Sequence, residues 1–311
     1  MLYYFAPMEG LTGPIFRRIH HEMFPGVDRY FTPFLSPTQN HFFTGRDLRE
    51  ILPAEGDDTP TVPQLLGKNA DDLLWAMGEL ASMGYGEVNF NLGCPSATVF
   101  SKGKGSALLA DPAALDALLA ALYAAAPVPL SVKTRLGITD GSEFPALLEV
   151  FNRYPIAELT IHARTKIELY KGKVHRDAFA EAATHTALPL CYNGDVRSAA
   201  DCAALESEFP ALHAVMIGRG LVANPALVRE AKGGKKLAMG ELREYHNALM
   251  DAYTAAYGAH NAMHRMKEVW ICLRENFPGG EQITGKIARA KDADALRFWA
   301  EKAFRELKLP E

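Results

Sequence analysis

The chain has 311 residues and a net charge of −4, and 48% of its residues are hydrophobic. That fraction suffices for a globular core, whereas no window approaches the roughly 18 to 20 uninterrupted apolar residues of a membrane-spanning helix. The first ten residues, MLYYFAPMEG, lack a basic segment and contain Pro7 and Glu9, unlike a secretory signal. We therefore expect a cytoplasmic protein without a membrane partner, and we expect a monomer.

Short apolar runs recur along the first 220 residues, and each is followed by an amphipathic helical pattern. The runs cover residues 3–8, 29–35, 61–67, 87–93, 130–137, 158–164, 188–194 and 214–220. Eight such units predict an α/β fold, a closed (β/α)8 TIM barrel, whose active site lies at the carboxyl ends of the strands. The competing architecture, a doubly wound open sheet, expects a G-x-G-x-x-G turn after the first strand, and APMEGLTG does not match it.

After the segment GGKK the pattern becomes helical only, which predicts a small all-helical domain at the C-terminal end. We place the boundary between the barrel and the helical domain after residue 234, so that the domains cover residues 1–234 and 235–311. The helical part carries a net charge of +2 and the remainder −6.

Four cysteines are widely spaced and form no C-x-x-C pair, which indicates neither a disulfide framework nor a zinc site. We expect no bound metal. Three of them, Cys191, Cys202 and Cys272, lie in strand-like or helical patterns and are expected to be small buried groups. Cys94 differs, because the glycine before it and the proline after it remove it from regular structure.

Two neighbouring segments have the composition of phosphate-binding turns. Gly218, Arg219 and Gly220 follow the eighth run and lead to a helix expected near Asn224-Pro225, while Asn193 and Gly194 precede a helix expected to be capped by Ser198. Barrels commonly bind a phosphate between these two loops. The alternative is that both segments are ordinary turns between a strand and a helix.

Polar groups at other strand ends suggest a flavin. Gln64 and Lys133 interrupt apolar runs, where a side chain without a partner is costly. A flavin offers its pyrimidine edge to Gln64 and its N1/O2 side to Lys133, with Pro7 and Met8 against the ring. The alternative for Lys133 is an ion pair at the barrel mouth with Glu9.

Together these residues resemble the FMN-dependent tRNA-dihydrouridine synthases. The resemblance rests on APMEGLTGPIFR, VPQLLG, NFNLGCPSATVFSKGKGSALL, SVKTRLG, IHARTKIELYKGK, NGD and VMIGRG, in this order. It implies an enzyme that reduces a uridine of tRNA to dihydrouridine with NADPH. It further implies that residues 1–234 form the FMN-binding catalytic barrel and residues 235–311 the helical tRNA-binding domain. It also implies flavin contacts at Pro7, Met8, Glu9, Gln64, Lys133, His162, Asn193, Gly194, Asp195, Gly218 and Arg219. Two departures from the family are Gly13, where an aspartate is usual, and KVHRDAF, which lacks a tryptophan.

The resemblance places Cys94 at the position of the catalytic acid. If C6 of the uracil receives hydride, C5 must receive a proton, and a thiol with a pKa of about 8.5 is protonated at neutral pH yet able to donate. Cys94 is therefore predicted to act as an acid and not as a nucleophile.

Further side chains are expected to bind the RNA. Asn91 is predicted to orient the base, and Arg135, His162 and Arg164 to bind its carbonyls or the ribose-phosphate. For His162 the alternative is a packed rim residue bonded to backbone. A basic patch on one rim is predicted from Lys102, Lys104, Arg164, Lys166, Lys171, Lys173 and Arg197.

Two other functions compete with this one. A flavin barrel that reduces a free pyrimidine or related metabolite predicts a closed pocket and needs neither the basic rim nor the helical tail. An RNA-binding protein that keeps the barrel without turnover predicts a colourless protein, or a yellow one that NADPH does not bleach.

Overall fold

A computed structural model describes residues 1–310 of the chain. Nine parallel strands form one sheet in the order β3-β2-β1-β9-β8-β7-β6-β5-β4. The strands are β1 (Leu2–Phe5), β2 (Arg29–Phe31), β3 (Thr61–Val62), β4 (Gln64–Leu65), β5 (Val88–Leu92), β6 (Leu130–Arg135), β7 (Leu159–His162), β8 (Leu190–Asn193) and β9 (Ala214–Ile217).

The sheet closes into the predicted barrel because its two edge strands are consecutive in the chain. Only Pro63 separates β3 from β4, and proline has no N–H to donate to the ladder, which divides the third of the eight predicted strands. The carbonyl of Pro63 still accepts the N–H of Asn89, and Leu35 forms a parallel bridge with Leu65. The TIM-barrel prediction is confirmed.

Helices surround the barrel and follow it. They are α1 (Pro14–Met23), α2 (Gly45–Ile51), α3 (Ala70–Ser82), α4 (Ala97–Phe100), α5 (Pro112–Ala125), α6 (Phe144–Phe151), α7 (Arg176–Thr184), α8 (Ala199–Glu208), α9 (Arg219–Ala223), α10 (Leu227–Ala231), α11 (Met239–Leu273), α12 (Glu281–Ala288) and α13 (Ala293–Glu306). Short 3-10 turns lie at Gly105–Ala110, Gly141–Glu143 and Arg274–Asn276.

The helix starts follow local chemistry. Ser198 caps α8 as predicted, because its hydroxyl accepts the N–H of Asp201. The helix predicted to begin near Asn224-Pro225 is α10, which begins at Leu227. A shorter helix that the sequence did not predict, α9, precedes it and begins at Arg219. Gly13 provides no side-chain cap for α1, which begins with Pro14, a residue whose missing N–H costs nothing in the first turn.

The barrel interior divides into an apolar floor and a polar upper layer. The floor contains Tyr4, Phe31, Cys191, Ala214 and Met216, all buried. The upper layer holds buried amides and a lysine, described below. A larger core lies between the strands and the surrounding helices. The predicted burial of Cys191, Cys202 and Cys272 is confirmed, and Cys94 is partly exposed.

The C-terminal region is helical, as predicted. Helix α11 packs against α1 and α9, and α12 and α13 pack against α11. A left-handed φ of 78° at Gly258 kinks α11. Asn276 Nδ2 donates to the Ala223 carbonyl, which ties this region to the barrel loops. The expected boundary at residue 234 lies between α10 and α11. None of the helices described for residues 1–310 has the length and apolarity to span a bilayer.

Candidate active site

A cavity of about 410 Å³ opens at the carboxyl ends of the strands. This lies within the roughly 300–1,000 Å³ typical of sites for small molecules and cofactors. The structure brings the predicted residues together here. The cavity is lined by Pro7, Met8, Glu9, Gln64, Asn91, Cys94, Lys133, Arg135, His162, Asn193, Gly194, Asp195, Gly218 and Arg219.

The loop that carries Cys94, here called the cysteine loop (residues 93–106), is fixed from two sides. Asn91 Oδ1 accepts the N–H groups of Gly93 and Cys94, at 3.0 and 2.9 Å. The Cys94 carbonyl accepts the hydroxyl of Ser106 at 2.8 Å. Gly105 has a φ of +60°, and a Cβ there would lie 3.1 Å from the Cys94 side chain, so glycine permits this close approach.

The cavity keeps the thiol of Cys94 protonated. Burial raises its pKa above the ordinary value, and this outweighs the bond from the Ser96 backbone and the nearby charge of Arg135. A thiol is mainly protonated below its pKa. Cys94 therefore enters the cavity as a proton donor at neutral pH, as an acid requires.

Lys133 reaches across the cavity floor to Asn193. Its Nζ donates to Asn193 Oδ1 at 2.9 Å, and Asn193 Nδ2 donates to the Met216 carbonyl at 2.8 Å. The alternative of an ion pair with Glu9 was wrong, because Glu9 pairs with Arg46 of α2. Burial, and then the charge of Arg135, lower the pKa of Lys133 to about 7.

His162 lines the same cavity beneath Tyr170, with the ring centroids 6.2 Å apart. Burial, followed by the charges of Arg135 and Lys133, lowers its pKa well below the ordinary value. The imidazole is therefore neutral at physiological pH, which excludes it as a standing positive charge at the site.

Two arginines predicted to bind the substrate form hydrogen bonds with the protein's own loops. Both hold residues 165–172, here called the tyrosine loop. Arg135 donates to the carbonyls of Gly93, Thr165 and Leu169 at 2.8–2.9 Å, which joins the cysteine loop to the tyrosine loop.

Arg164 lies outside the cavity lining. Its side chain is 1% exposed, and its guanidinium pairs with Asp195 and donates to the carbonyls of Lys171 and Gly172. The prediction that Arg164 belongs to an exposed basic patch was wrong, because Arg164 is buried and its guanidinium donates four hydrogen bonds within the fold.

The lysines predicted to bind RNA surround the cavity without lining it. Lys102, Lys171 and Lys173 are exposed, and the structure of residues 1–310 places no carboxylate within 4.0 Å of them. Lys104 donates to Ser36 Oγ at 2.8 Å. Lys166 lies over the Phe100 ring at 4.2 Å, and Arg197 pairs with Glu275 of the C-terminal region.

Tyr170 is a site residue that the sequence reasoning missed. It is 56% exposed and lines the cavity, with Arg135 and Arg219 beside its ring at 5.4 and 5.7 Å. The available signal was an aromatic residue within the basic segment IELYKGK, in the loop that follows β7. Ser106 was missed as well, since only the folded loop brings it to Cys94.

The two predicted phosphate-binding loops lie side by side. Arg219 bridges them through Asp195, with Nη2 2.8 Å from Oδ1. A Cβ on Gly220 would lie 2.1 Å from the Val196 carbonyl oxygen, so only glycine allows α9 to approach the β8–α8 loop. A polar cavity mouth with closely approaching backbone and a buried lysine fits a phosphorylated cofactor with an electron-accepting ring.

Sequence comparison gives the same assignment. The dihydrouridine synthase family model matches residues 4–305. The chain belongs to this family. A probable tRNA-dihydrouridine synthase 2 of Bacillus subtilis is 29% identical over 302 residues, which cover 94% of this chain and 90% of the relative. A tRNA-dihydrouridine(16) synthase of Neisseria meningitidis is 28% identical over 308 residues, covering 94% and 91%.

Family membership confirms the enzyme class that the resemblance implied: an FMN-dependent oxidoreductase that uses NAD(P)H and forms dihydrouridine in tRNA. The structure of morphinone reductase in complex with tetrahydroNAD shares the fold, with a TM-score of 0.51 at 11% identity, covering 77% of this chain and 89% of that one.

Proposed function

We propose that this dihydrouridine synthase reduces the C5=C6 bond of specific uridines in tRNA with Cys94 as the general acid that protonates C5. The observation that carries the proposal is the placement of Cys94: its thiol lines the cavity and has a raised pKa, and its backbone N–H and carbonyl are bonded to the side chains of Asn91 and Ser106. A positioned acid protects the developing charge on C5 and O4 from adventitious water.

The residues around the thiol divide the remaining tasks. Bound FMN would supply the two electrons, and NADPH would replenish them. Gln64 and Lys133 are proposed to bind the pyrimidine side of the flavin ring. The phosphate end of FMN is proposed to contact Asn193, Gly194, Gly218 and Arg219. The remaining FMN contacts are proposed to come from Pro7, Met8, Glu9, His162 and Asp195. Asn91 and Arg135 line the space left for the base, while Arg164 is proposed to act on the substrate only through the tyrosine loop that it holds.

The tRNA itself is proposed to bind across the cavity mouth. The exposed lysines at positions 102, 171 and 173, with Lys104 nearby, supply phosphate contacts despite the negative net charge of the chain. We assign catalysis to residues 1–234 and recognition of tRNA shape to the helical residues 235–311. The enzyme is proposed to act as a cytoplasmic monomer.

The test uses purified protein reconstituted with FMN. We expect a yellow protein that NADPH bleaches, and dihydrouridine in unmodified tRNA but not in free uridine after equal incubation, measured by mass spectrometry of nucleosides. Mapping the product along the tRNA then identifies the position. Conversion of free uridine at the same rate would instead support the small-molecule reductase, and a protein that NADPH never bleaches would contradict both.

A further inference from the structure

Four buried side chains form a continuous row of hydrogen bonds from the barrel interior to the backbone of Cys94. Ser131 Oγ accepts from Asn89 Nδ2 at 2.9 Å, and Asn89 Oδ1 accepts from Gln64 Nε2 at 2.8 Å. Gln64 Oε1 then accepts from Asn91 Nδ2 at 2.7 Å. Asn89, Gln64 and Ser131 are each no more than 1% exposed, so water does not compete for these bonds.

The backbone of the cysteine loop fixes the direction of the whole row. The N–H groups of Gly93 and Cys94 can only donate, so Asn91 must turn its oxygen toward them and its NH₂ toward Gln64. Gln64 must therefore accept the Asn91 N–H with its side-chain oxygen, and this orientation directs the Gln64 NH₂ toward Asn89. Asn89 in turn presents oxygen to Gln64 and its NH₂ to Ser131. Each amide has a single orientation that satisfies both neighbours.

Gln64 is the member of the row that also faces the cavity. A carboxamide has two N–H donors and an oxygen with two acceptor positions, and the row uses one of each. The remaining donor and acceptor are therefore presented to the cavity in fixed places. The row of hydrogen bonds that holds the cysteine loop therefore also determines whether Gln64 presents an N–H or an oxygen to a bound ring at each position.

We propose that Asn89 and Ser131, which do not line the cavity, are positioning residues that hold Gln64 and Asn91 in one orientation and thereby fix Cys94. The inference rests on the proposed role of Cys94 as the acid. Loss of the Asn89 amide frees Gln64 to turn over, removes the single orientation of Asn91, and loosens the cysteine loop at its first two N–H groups.

Two substitutions of Asn89 separate positioning from packing. Asn89→Leu keeps the number and branching of the side-chain heavy atoms and removes both bonds. Asn89→Asp keeps both bonds in its neutral form, which burial favours, because its carbonyl oxygen accepts from Gln64 and its O–H donates to Ser131 Oγ. Thr160→Val is the matched control: Thr160 is as buried as Asn89, lies in β7, two strands away in the sheet, and its hydroxyl is not part of the row.

The first readout is alkylation of Cys94 by iodoacetamide in cofactor-free protein, followed by peptide mass spectrometry across pH 7 to 10. We expect Asn89→Leu to raise the alkylation rate at pH 8 several-fold and to lower the apparent pKa of the thiol toward its free value, because a loosened loop exposes the sulfur. Asn89→Asp and Thr160→Val are expected to match the wild type.

The second readout is dihydrouridine formation by the FMN-loaded enzyme, where Asn89→Leu is expected to lower kcat about tenfold, as a small misplacement of a catalytic group does.

An alkylation rate in Asn89→Leu equal to that of the wild type would overturn the proposal, as would equal impairment of Asn89→Asp and Asn89→Leu. If Asn89→Leu does not fold, Ser131→Ala replaces it, with a smaller change of the same sign expected and no change contradicting the proposal. The alkylation readout stands even if the wild type forms no dihydrouridine, which would refute the proposed function alone.

Discussion

Individual residues of the site differ in how far the sequence could predict them. Lys133 and Cys94 were predictable, because a lysine inside an apolar run and a cysteine between glycine and proline both break the local pattern. Arg135 and Arg164 occupy similar strand ends, yet their partners are carbonyls of the tyrosine loop. Nothing in a strand-end arginine indicates whether a ligand or a neighbouring loop will satisfy its five N–H groups.

Glu158 is a buried carboxyl at the opposite end of the barrel, where it accepts the hydroxyl of Tyr4 at 2.8 Å. Burial raises its pKa from 4.5 to about 7. The folded state therefore binds more protons than the unfolded state between these values, and this group's contribution to stability is lost as the pH rises through 7.

We predict that Glu158→Gln removes this dependence, since glutamine keeps an acceptor for Tyr4 and does not ionise. Relative to the wild type, the variant should gain about 3 kcal/mol of unfolding free energy between pH 4.5 and pH 8. Urea unfolding at several pH values measures this difference, and taking the difference cancels the opposite dependence of buried His20, whose pKa burial lowers to about 3. A constant difference across the range would contradict the prediction.

At the scale of elements, the eight strand–helix units followed from the sequence, although Pro63 divides the third strand into β3 and β4, and the turn after β9 did not. Eight apolar runs with helical patterns between them admit few other folds. The start of α9 depends on how closely two neighbouring loops approach, and Gly220 allows an approach that any side chain would block. Such a contact joins residues that are far apart in sequence, here Gly220 and Val196, so local patterns do not contain it.

We predict that Gly220→Ala displaces α9, because its Cβ would lie 2.1 Å from a backbone oxygen that has no freedom to rotate away. The expected results are a loss of about 1–3 kcal/mol in stability and at least tenfold weaker FMN binding, measured by thermal unfolding and flavin fluorescence.

The control for this variant is Gly78→Ala. Gly78 lies inside α3, where a Cβ would meet no atom of residues 1–310 outside the helix's own backbone within 4 Å, so alanine should raise stability by about 0.5–1 kcal/mol and leave FMN binding unchanged. Unaltered FMN affinity in Gly220→Ala would show that the turn does not belong to the cofactor site.

At the scale of the whole molecule, the chain carries a net negative charge, whereas positive charge is concentrated on the loops around the cavity mouth. The chain is acidic overall, yet exposed lysines without carboxylate partners, among residues 1–310, stand on the loops around the mouth. The sequence suggested this division because the lysines concentrate in loops that share one end of a barrel. The loss of Arg164 from the patch required the folded structure.

We predict that replacing Lys171 and Lys173 together by alanine weakens tRNA binding and lowers the salt dependence of log K by about one unit per lysine. Lys232→Ala is the control, since Lys232 bonds the Gly26 carbonyl beside the amino-terminal ends of the strands. Filter binding between 50 and 200 mM salt measures the slopes. Equal slopes in the double variant and the wild type would place the RNA elsewhere.

The central claim is that Cys94 delivers the proton that completes dihydrouridine, and the FMN-loaded Cys94→Ala variant tests it most directly. Cys202→Ala, which alters a buried thiol in α8, is the control. Dihydrouridine in tRNA, quantified by mass spectrometry, is expected to form at the wild-type rate in Cys202→Ala and about 10²–10⁴-fold more slowly in Cys94→Ala, with yellow colour and tRNA affinity retained. Wild-type rates in Cys94→Ala would contradict the account.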